Sequence, residues 1–176
     1  HQLNDGDHLY LTKPLGSGIL MAAHMRAMCA AHDYGRLVSH MLQPLAPWLD
    51  IIESLSLRAV TDVTGFGLSG HLLEMLQASG KQATIGLSEI PFLSGVTDLS
   101  ESGIQSTLAP ANFKNERFIE AKTSTKEHPS YPVLFDPQTC GGFLIGIAES
   151  KVRELHDQAV RNGVSAPTFI GCVSER

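Results

Sequence analysis

One carboxylate, Asp62, stands just ahead of a glycine-rich turn in the run Thr61-Asp62-Val63-Thr64-Gly65-Phe66-Gly67-Leu68-Ser69-Gly70-His71. Leu57 to Thr61 reads as a short buried strand, and Leu68, Leu72, Leu73 and Leu76 recur at helical spacing. The glycines therefore sit at a strand-to-helix junction. Backbone N–H groups there point outward with the positive end of a helix dipole behind them, which suits an anion. A bare carboxylate repels a polyphosphate unless a divalent cation lies between them, and Mg2+ is held by one or two carboxylates plus phosphate oxygens and water. Asp62 is thus a candidate metal ligand, and Thr64, Gly65 and Gly67 are candidates to cradle phosphates. Equally open is a structural role, in which Asp62 caps the turn and the glycines only permit tight packing.

Other residues invite chemistry of their own. Gly65-x-Gly67-x-x-Gly70 imitates a dinucleotide-binding fingerprint, with Glu89 after the next strand as a ribose ligand. Such a fold runs its strand directly into the first glycine, whereas here Asp62 and Thr64 intervene. Asp136-Pro-Gln-Thr-Cys-Gly-Gly142 reads as a rigid turn, able to form one wall of a nucleotide pocket. Cys140 fits as a small residue in that turn rather than a reactive thiol, because nothing near it in sequence lowers its pKa. His24, His32 and His40 lie eight residues apart, too far to share one ion on a helix. Lys13, before a Pro-Leu-Gly turn, is expected to be solvated at a strand end or to touch a phosphate. No Gly-x-Ser-x-Gly elbow is present.

The 176 residues suit a single domain, residues 1–176, and 43% hydrophobic with 18% charged residues is ordinary for a globular protein. A net charge of -5 without a dense Lys/Arg cluster argues against nucleic acid as a partner. The most apolar stretch, Gly18 to Ala31, is interrupted by His24 and Arg26, which argues against a membrane span. Three cysteines without CxxC spacing suit a reducing cytoplasm. His1 to Asp7 carries neither an initiator Met nor a leader pattern, so the chain is expected to be a piece of a longer one.

The elements that must position these residues follow from periodicity and punctuation. Strands are expected at 8–12, 57–61, 83–87, 143–147 and 168–173. A helix should start at Ser17 with a stripe of Ile19, Leu20, Ala23, Ala27 and Ala30. A second helical region, 34–56, should turn Leu37, Met41 and Leu42 inward and be broken by Pro44 and Pro47. A third helix runs to about Ser79. A fourth, 151–162, is expected to be capped by Ser150, to bury Leu155 and Val160, and to stop at Gly163. Residues 91–132 show weak patterning, with hints of regular structure only at 96–100 and 115–121. The expected class is α/β (α+β), a mixed β-sheet with helices packed on it.

Three runs carry a resemblance: Leu11-Thr-Lys-Pro-Leu-Gly-Ser-Gly-Ile-Leu20, Thr61-Asp-Val-Thr-Gly-Phe-Gly-Leu-Ser-Gly-His-Leu-Leu-Glu-Met75 and Leu134-Phe-Asp-Pro-Gln-Thr-Cys-Gly-Gly142. In this order, with Phe169-Ile-Gly-Cys-Val173 as a closing strand, the chain resembles the C-terminal domain of selenophosphate synthetase (selenide, water dikinase), of the aminoimidazole ribonucleotide synthetase-like superfamily. The resemblance implies phosphorylation of selenide with ATP and Mg2+, giving selenophosphate, AMP and orthophosphate. It implies Asp62 as a Mg2+ ligand acting with acids of an N-terminal domain, which also carries the catalytic Cys or Sec and its Lys. No catalytic residue is therefore assigned in this chain. ATP would lie between the two domains, a homodimer would form through N-terminal strands, and the isolated domain would be inactive. Cys140 replaces the family's usual Ser, and Ser69 its usual Leu. The alternatives are a dinucleotide-binding piece of an oxidoreductase, or a non-catalytic domain retained in a fusion.

Overall fold

The computed structural model describes residues 2–176. Five strands form the frame: β1 (His8–Leu11), β2 (Ala59–Asp62), β3 (Lys81–Ile85), β4 (Phe143–Ile147) and β5 (Thr168–Glu175). The sheet order is β2-β4-β1-β5-β3. Helices α1 (Ser17–Met25), α2 (Ala31–Leu42) and α3 (Ala46–Ser54) lie between β1 and β2, and α4 (Gly67–Ser79) lies between β2 and β3. The weakly patterned region holds the short helices α5 (Val96–Glu101), α6 (Ala109–Asn112) and α7 (Thr123–Lys126), and α8 (Val152–Arg161) connects β4 to β5. No helix among the described residues is long and apolar enough to cross a membrane.

The expected class, a sheet with helices packed on it, is the one adopted. Its strands pair antiparallel in every ladder rather than in mixed directions. The helical crossover from β1 to β2 does return the chain parallel to β1, but β4 is inserted between the two. The crossover from β4 to β5 likewise encloses β1. Two split β-α-β units interlock in this way, so each strand's neighbour runs against it. Among the described residues the isolated parallel contact is the Leu15–Phe92 bridge.

Burial on both faces explains why β4 reads as a continuous apolar run. Alternation sends Leu9, Leu11 and Leu144 into one core with Leu20, Leu68 and Met75 of α1 and α4. Tyr10, Ile145 and Ile147 face the other way, onto Trp48 and Ile51 of α3 and Leu155 and Ala159 of α8. Val160, expected to point inward, is 77% exposed. Ala159 takes the place beside Leu155 because it lies four residues on, whereas Val160 is about 140° around the helix from Leu155. Leu42 is also 77% exposed rather than inward, and His40 occupies the buried position. The 34–56 region divides at Pro44, as expected, with Pro47 in the first turn of α3.

Helix ends are less legible in the sequence. Val152 begins α8 after a 3-10 turn, Glu149–Lys151, and no side chain caps it. Helix α1 stops at Met25, so Ala27 and Ala30 fall outside the stripe assigned to them. Ala27 N–H bonds to His24 O at 3.0 Å and Met28 N–H to Ala23 O at 2.8 Å. This paired closure requires a left-handed residue, and Ala27 takes it at φ 56° without the glycine that normally marks it. Gly163 ends α8 by the same pair of bonds, with Val160 and Ala159 as acceptors. An L-residue in this conformation costs about 1 kcal/mol. Ala27→Gly is therefore expected to raise the melting temperature by ~2–4 °C in calorimetry; no change would mean that the left-handed residue carries no strain.

Candidate functional site

The three motifs converge at one end of the sheet, because β1 and β2 finish where β4 begins. Asp62 is the last residue of β2 and pairs with Phe143. On the other side of Phe143 lies Thr12: Thr12 N–H donates to Phe143 O at 3.0 Å, and Phe143 N–H to Thr12 Oγ1 at 2.8 Å. Gly142 O accepts Val63 N–H at 2.8 Å, and Thr64 O accepts Gln138 N–H at 2.9 Å. Loops 12–18, 62–67 and 136–142 are thereby one assembly.

Asp62 lies at the sheet's edge with its side chain exposed. Among the described residues no donor is bonded to its carboxylate; Thr61 Oγ1 donates instead to the Asp62 carbonyl at 3.3 Å. A lone carboxylate with free lone pairs fits a cation that completes its shell with phosphate oxygens and water. It is not a metal centre by itself, since among the described residues no three His, Cys, Asp or Glu side chains are grouped to hold one.

The phosphate-cradle candidates separate. Thr64 N–H is engaged, donating to His71 Nε2 at 3.1 Å, with Thr64 Oγ1 3.3 Å from the same nitrogen. Accepting a backbone N–H fixes the neutral tautomer of His71, whose Nδ1 lies 3.8 Å from Glu74. Gly67 adopts φ 67°, is buried, and donates to Thr64 O at 3.0 Å. A Cβ there would lie 2.9 to 3.0 Å from the backbone of Leu134 to Asp136, so this glycine serves close packing. The first turn of α4, expected to be open to an anion, is buried. What faces outward is the turn before it. Gly65 is exposed, has open space around its Cα, and has its carbonyl held by Asn112 Nδ2 at 2.9 Å. Among the described residues the N–H groups of Gly65 and Phe66 have no protein acceptor.

The dinucleotide alternative fails on topology. That fold places its glycine turn between neighbouring parallel strands, whereas β2 and β3 are opposite edges of this sheet. Glu89, which follows β3, is therefore at the far side from Gly65.

Lys13 is neither solvated nor free for phosphate. It is buried, and its Nζ donates to His40 O (3.1 Å), Gln43 O (2.9 Å) and Cys140 O (3.2 Å). It closes the C-terminal end of α2, where a cation meets the negative pole of the helix, and ties it to loop 136–142. Burial lowers its pKa. Burial, then the adjacent Lys13, pushes His40 down to about 4. Cys140 takes a left-handed conformation, φ 53°, with an exposed side chain. His24 stacks on Tyr34 at 3.8 Å and His32 sits 3.3 Å from Asp33; His32 and His40 line one cavity, but among the described residues no three His, Cys, Asp or Glu side chains are grouped to hold a metal ion.

Asp136 does more than shape a local turn. Its buried Oδ2 accepts Ile19 N–H at 3.1 Å and Gln138 Nε2–H at 3.1 Å; Oδ1 has no partner within hydrogen-bond geometry among the described residues, although the Gly18 N–H and the Ser106 hydroxyl also favour the ionised carboxyl. Burial raises its pKa to about 7, against the pull of these donors. Local sequence pattern does not single out Gln138, Asn112 or the His71 contact, because each is defined by partners remote in the chain or by burial.

A family model described as AIR synthase related protein, C-terminal domain, matches residues 4–176. The selenide, water dikinase of Caldanaerobacter subterraneus subsp. tengcongensis is 32% identical over 173 residues, covering 97% of this chain and 49% of that protein. Selenide, water dikinase 2 of Peptoclostridium acidaminophilum is 33% identical over 171 residues, covering 96% of this chain and 48% of its own length. The chain thus spans about half the length of the curated relatives it matches. Among solved structures, thiamine-monophosphate kinase from Stenotrophomonas maltophilia superposes with a TM-score of 0.66 at 16% identity, over 99% of this chain and 49% of that one. AaThiL, solved as a complex with AMPPCP and TMP, gives 0.58 at 18% identity, over 98% of this chain and 46% of that one. These likenesses show the fold.

Two of the shifted buried groups, Asp136 and His40, act in opposite directions on stability. Asp136 binds its proton more tightly folded (about 7) than unfolded (3.8), so its contribution is lost as pH rises through that window. His40 binds its proton less tightly folded (about 4) than unfolded (6.5), so its contribution is lost as pH falls. Between about pH 4 and 6.5 the slopes oppose each other, each up to about 1.4 kcal/mol per pH unit. In thermal melts Asp136→Asn is expected to leave stability rising with pH in this range, and His40→Gln to leave it falling. Profiles parallel to wild type would contradict these assignments.

Proposed function

This chain belongs to the AIR synthase related protein C-terminal domain family, and from that premise we propose that it supplies part of the MgATP site of a selenide, water dikinase. The observation that carries the proposal is Asp62: an exposed carboxylate that among the described residues has no protein donor, beside the N–H groups of Gly65 and Phe66, which have no acceptor there, at the meeting point of three loops. The names of the relatives supply the substrate, and the AMPPCP complexed by the structural neighbour AaThiL supports a nucleoside triphosphate.

In this reading selenide, ATP and water give selenophosphate, AMP and orthophosphate. Asp62 is one oxygen ligand of Mg2+, and the outward amides of Gly65 and Phe66 receive a phosphate oxygen. Thr64 acts through the hydrogen bonds that fix the turn, and Gly67 by letting α4 approach the 131–136 segment. Bound Mg2+ would offset phosphate charge and hold the reacting groups in place, which is most of what phosphoryl transfer needs. Loops fastened on both sides of Asp62 hold its backbone, so the point from which the carboxylate projects is set before ligand arrives. The remaining acids, the Cys or Sec nucleophile and its Lys belong to the other half of the enzyme. That half would cover ATP from the opposite side and pair two copies into a cytoplasmic homodimer.

In the complete protein, Asp62→Ala is expected to lower Mg2+-dependent ATP turnover with selenide by about 100-fold or more. Its melting temperature should shift by no more than ~2 °C, as for an exposed residue. Equal losses of activity and stability would instead favour a capping role. This chain alone should show no turnover and at most weak MgATP binding in calorimetry; tight binding would contradict the shared site.

A further inference from the structure

A single buried residue joins the three loops around Asp62: the side-chain amide of Gln138 ties loop 136–142 to loop 12–18, and its backbone N–H ties it to loop 62–67. Gln138 is 5% exposed. Its Oε1 accepts Gly16 N–H at 2.8 Å, Ser17 N–H at 3.2 Å and Ser17 Oγ–H at 3.2 Å. Its Nε2 donates to Asp136 O at 2.7 Å and Asp136 Oδ2 at 3.1 Å. Its backbone N–H donates to Thr64 O at 2.9 Å, and Ser17 Oγ accepts Thr139 N–H at 2.8 Å. The residues immediately after Asp62 are thus held by Gln138 at Thr64 and by Gly142 at Val63. We infer that Gln138 is a positioning residue, setting the Asp62 carboxylate and the Gly65–Phe66 turn against α1 so that substitution there changes the affinity of the site for MgATP. The inference rests on the MgATP reading of Asp62.

The chemistry of an amide is specific to this place. Two backbone N–H groups at the start of α1 need an acceptor, and Asp136 needs a donor; Gln supplies both from one planar group. Glutamate at 138 offers acceptors only and sets a second carboxylate against Asp136. Alanine leaves the α1 donors buried without a partner, and each such loss costs about 1–3 kcal/mol. The loops have little room to compensate. A Cβ on Gly142 would lie 2.6 Å from Thr12 Oγ1, one on Gly18 would lie 2.5 Å from Asp136 Oδ1, and one on Gly141 would strike Val63 O.

A purely structural role is separated by a variant that destabilises elsewhere. Leu155 is fully buried in the opposite core, far from these loops, so Leu155→Ala lowers stability without moving them. In the complete protein, assayed well below melting, Leu155→Ala is expected to keep the wild-type KM for MgATP and the wild-type half-saturating Mg2+. Gln138→Ala and Gln138→Glu should raise both at least tenfold. Amide exchange of Val63, Thr64 and Gly67, whose N–H groups are hydrogen-bonded, measured without ligand, should also accelerate at least tenfold in these two variants, with α8 unchanged. Gln138 variants that match Leu155→Ala in both constants, or that exchange Val63, Thr64 and Gly67 at the wild-type rate, would overturn the inference. A wild-type protein without MgATP-dependent activity would sink the MgATP reading itself, and the ligand-free exchange result tells that failure apart from this one.

Discussion

Residues 136–142 bury Asp136, Gln138, Gly141 and Gly142 without belonging to a helix or strand, so the polar groups they bury must find partners in other loops. Those partners lie at the start of α1 and at the end of β2, more than a hundred residues and about seventy residues away in sequence. Gln138, Asp136 and the Gly142 carbonyl meet them. The arrangement has a cost for ligand binding at α1: its leading N–H groups are occupied by the protein's own oxygens. The Gly65–Phe66 turn differs: among the described residues its two amides have no protein acceptor, while Asn112 holds the Gly65 carbonyl and His71 accepts the Thr64 N–H.

Buried ionisable groups reinforce this frame without forming an ion pair among themselves. Lys13 sits against three carbonyls at the C-terminus of α2, and the same cation helps to keep His40 neutral. Asp136 sits at the N-terminus of α1 among N–H donors, yet burial outweighs them and favours the protonated acid. The carboxyl inside the loop assembly is thus pushed toward its neutral form, whereas Asp62 lies exposed at the sheet's edge. That contrast fits a residue that meets a cation carried in by its ligand.

Much of this is visible in the chain where local pattern governs. The five strands fall within a few residues of their expected places, Gly163 ends α8, Pro44 divides α2 from α3, and the Asp62 turn lies at a strand-to-helix junction. Signals that depend on partners far apart in sequence are not visible there. Nothing near Lys13 indicates that a helix end and Cys140 will surround it, and the Gln138 side chain looks like any polar residue in a turn. Ala27 shows the limit of punctuation: the helix closes on backbone hydrogen bonds with an alanine in the glycine position. Strand order is equally hidden, since β4 enters between β1 and β2 only after eighty further residues have been placed.

Paramagnetic relaxation gives the most direct test that Asp62 faces a nucleotide-bound cation. With Mn2+ and ATP added to the complete protein, amide resonances of residues 62–66 should broaden beyond detection while those of β3, at the opposite edge, remain sharp. Omitting ATP should restore most of the signal, because the cation is held jointly by carboxylate and phosphates. Sharp lines at 62–66 in saturating Mn2+ and ATP, or broadening centred on another part of this domain, would contradict the account.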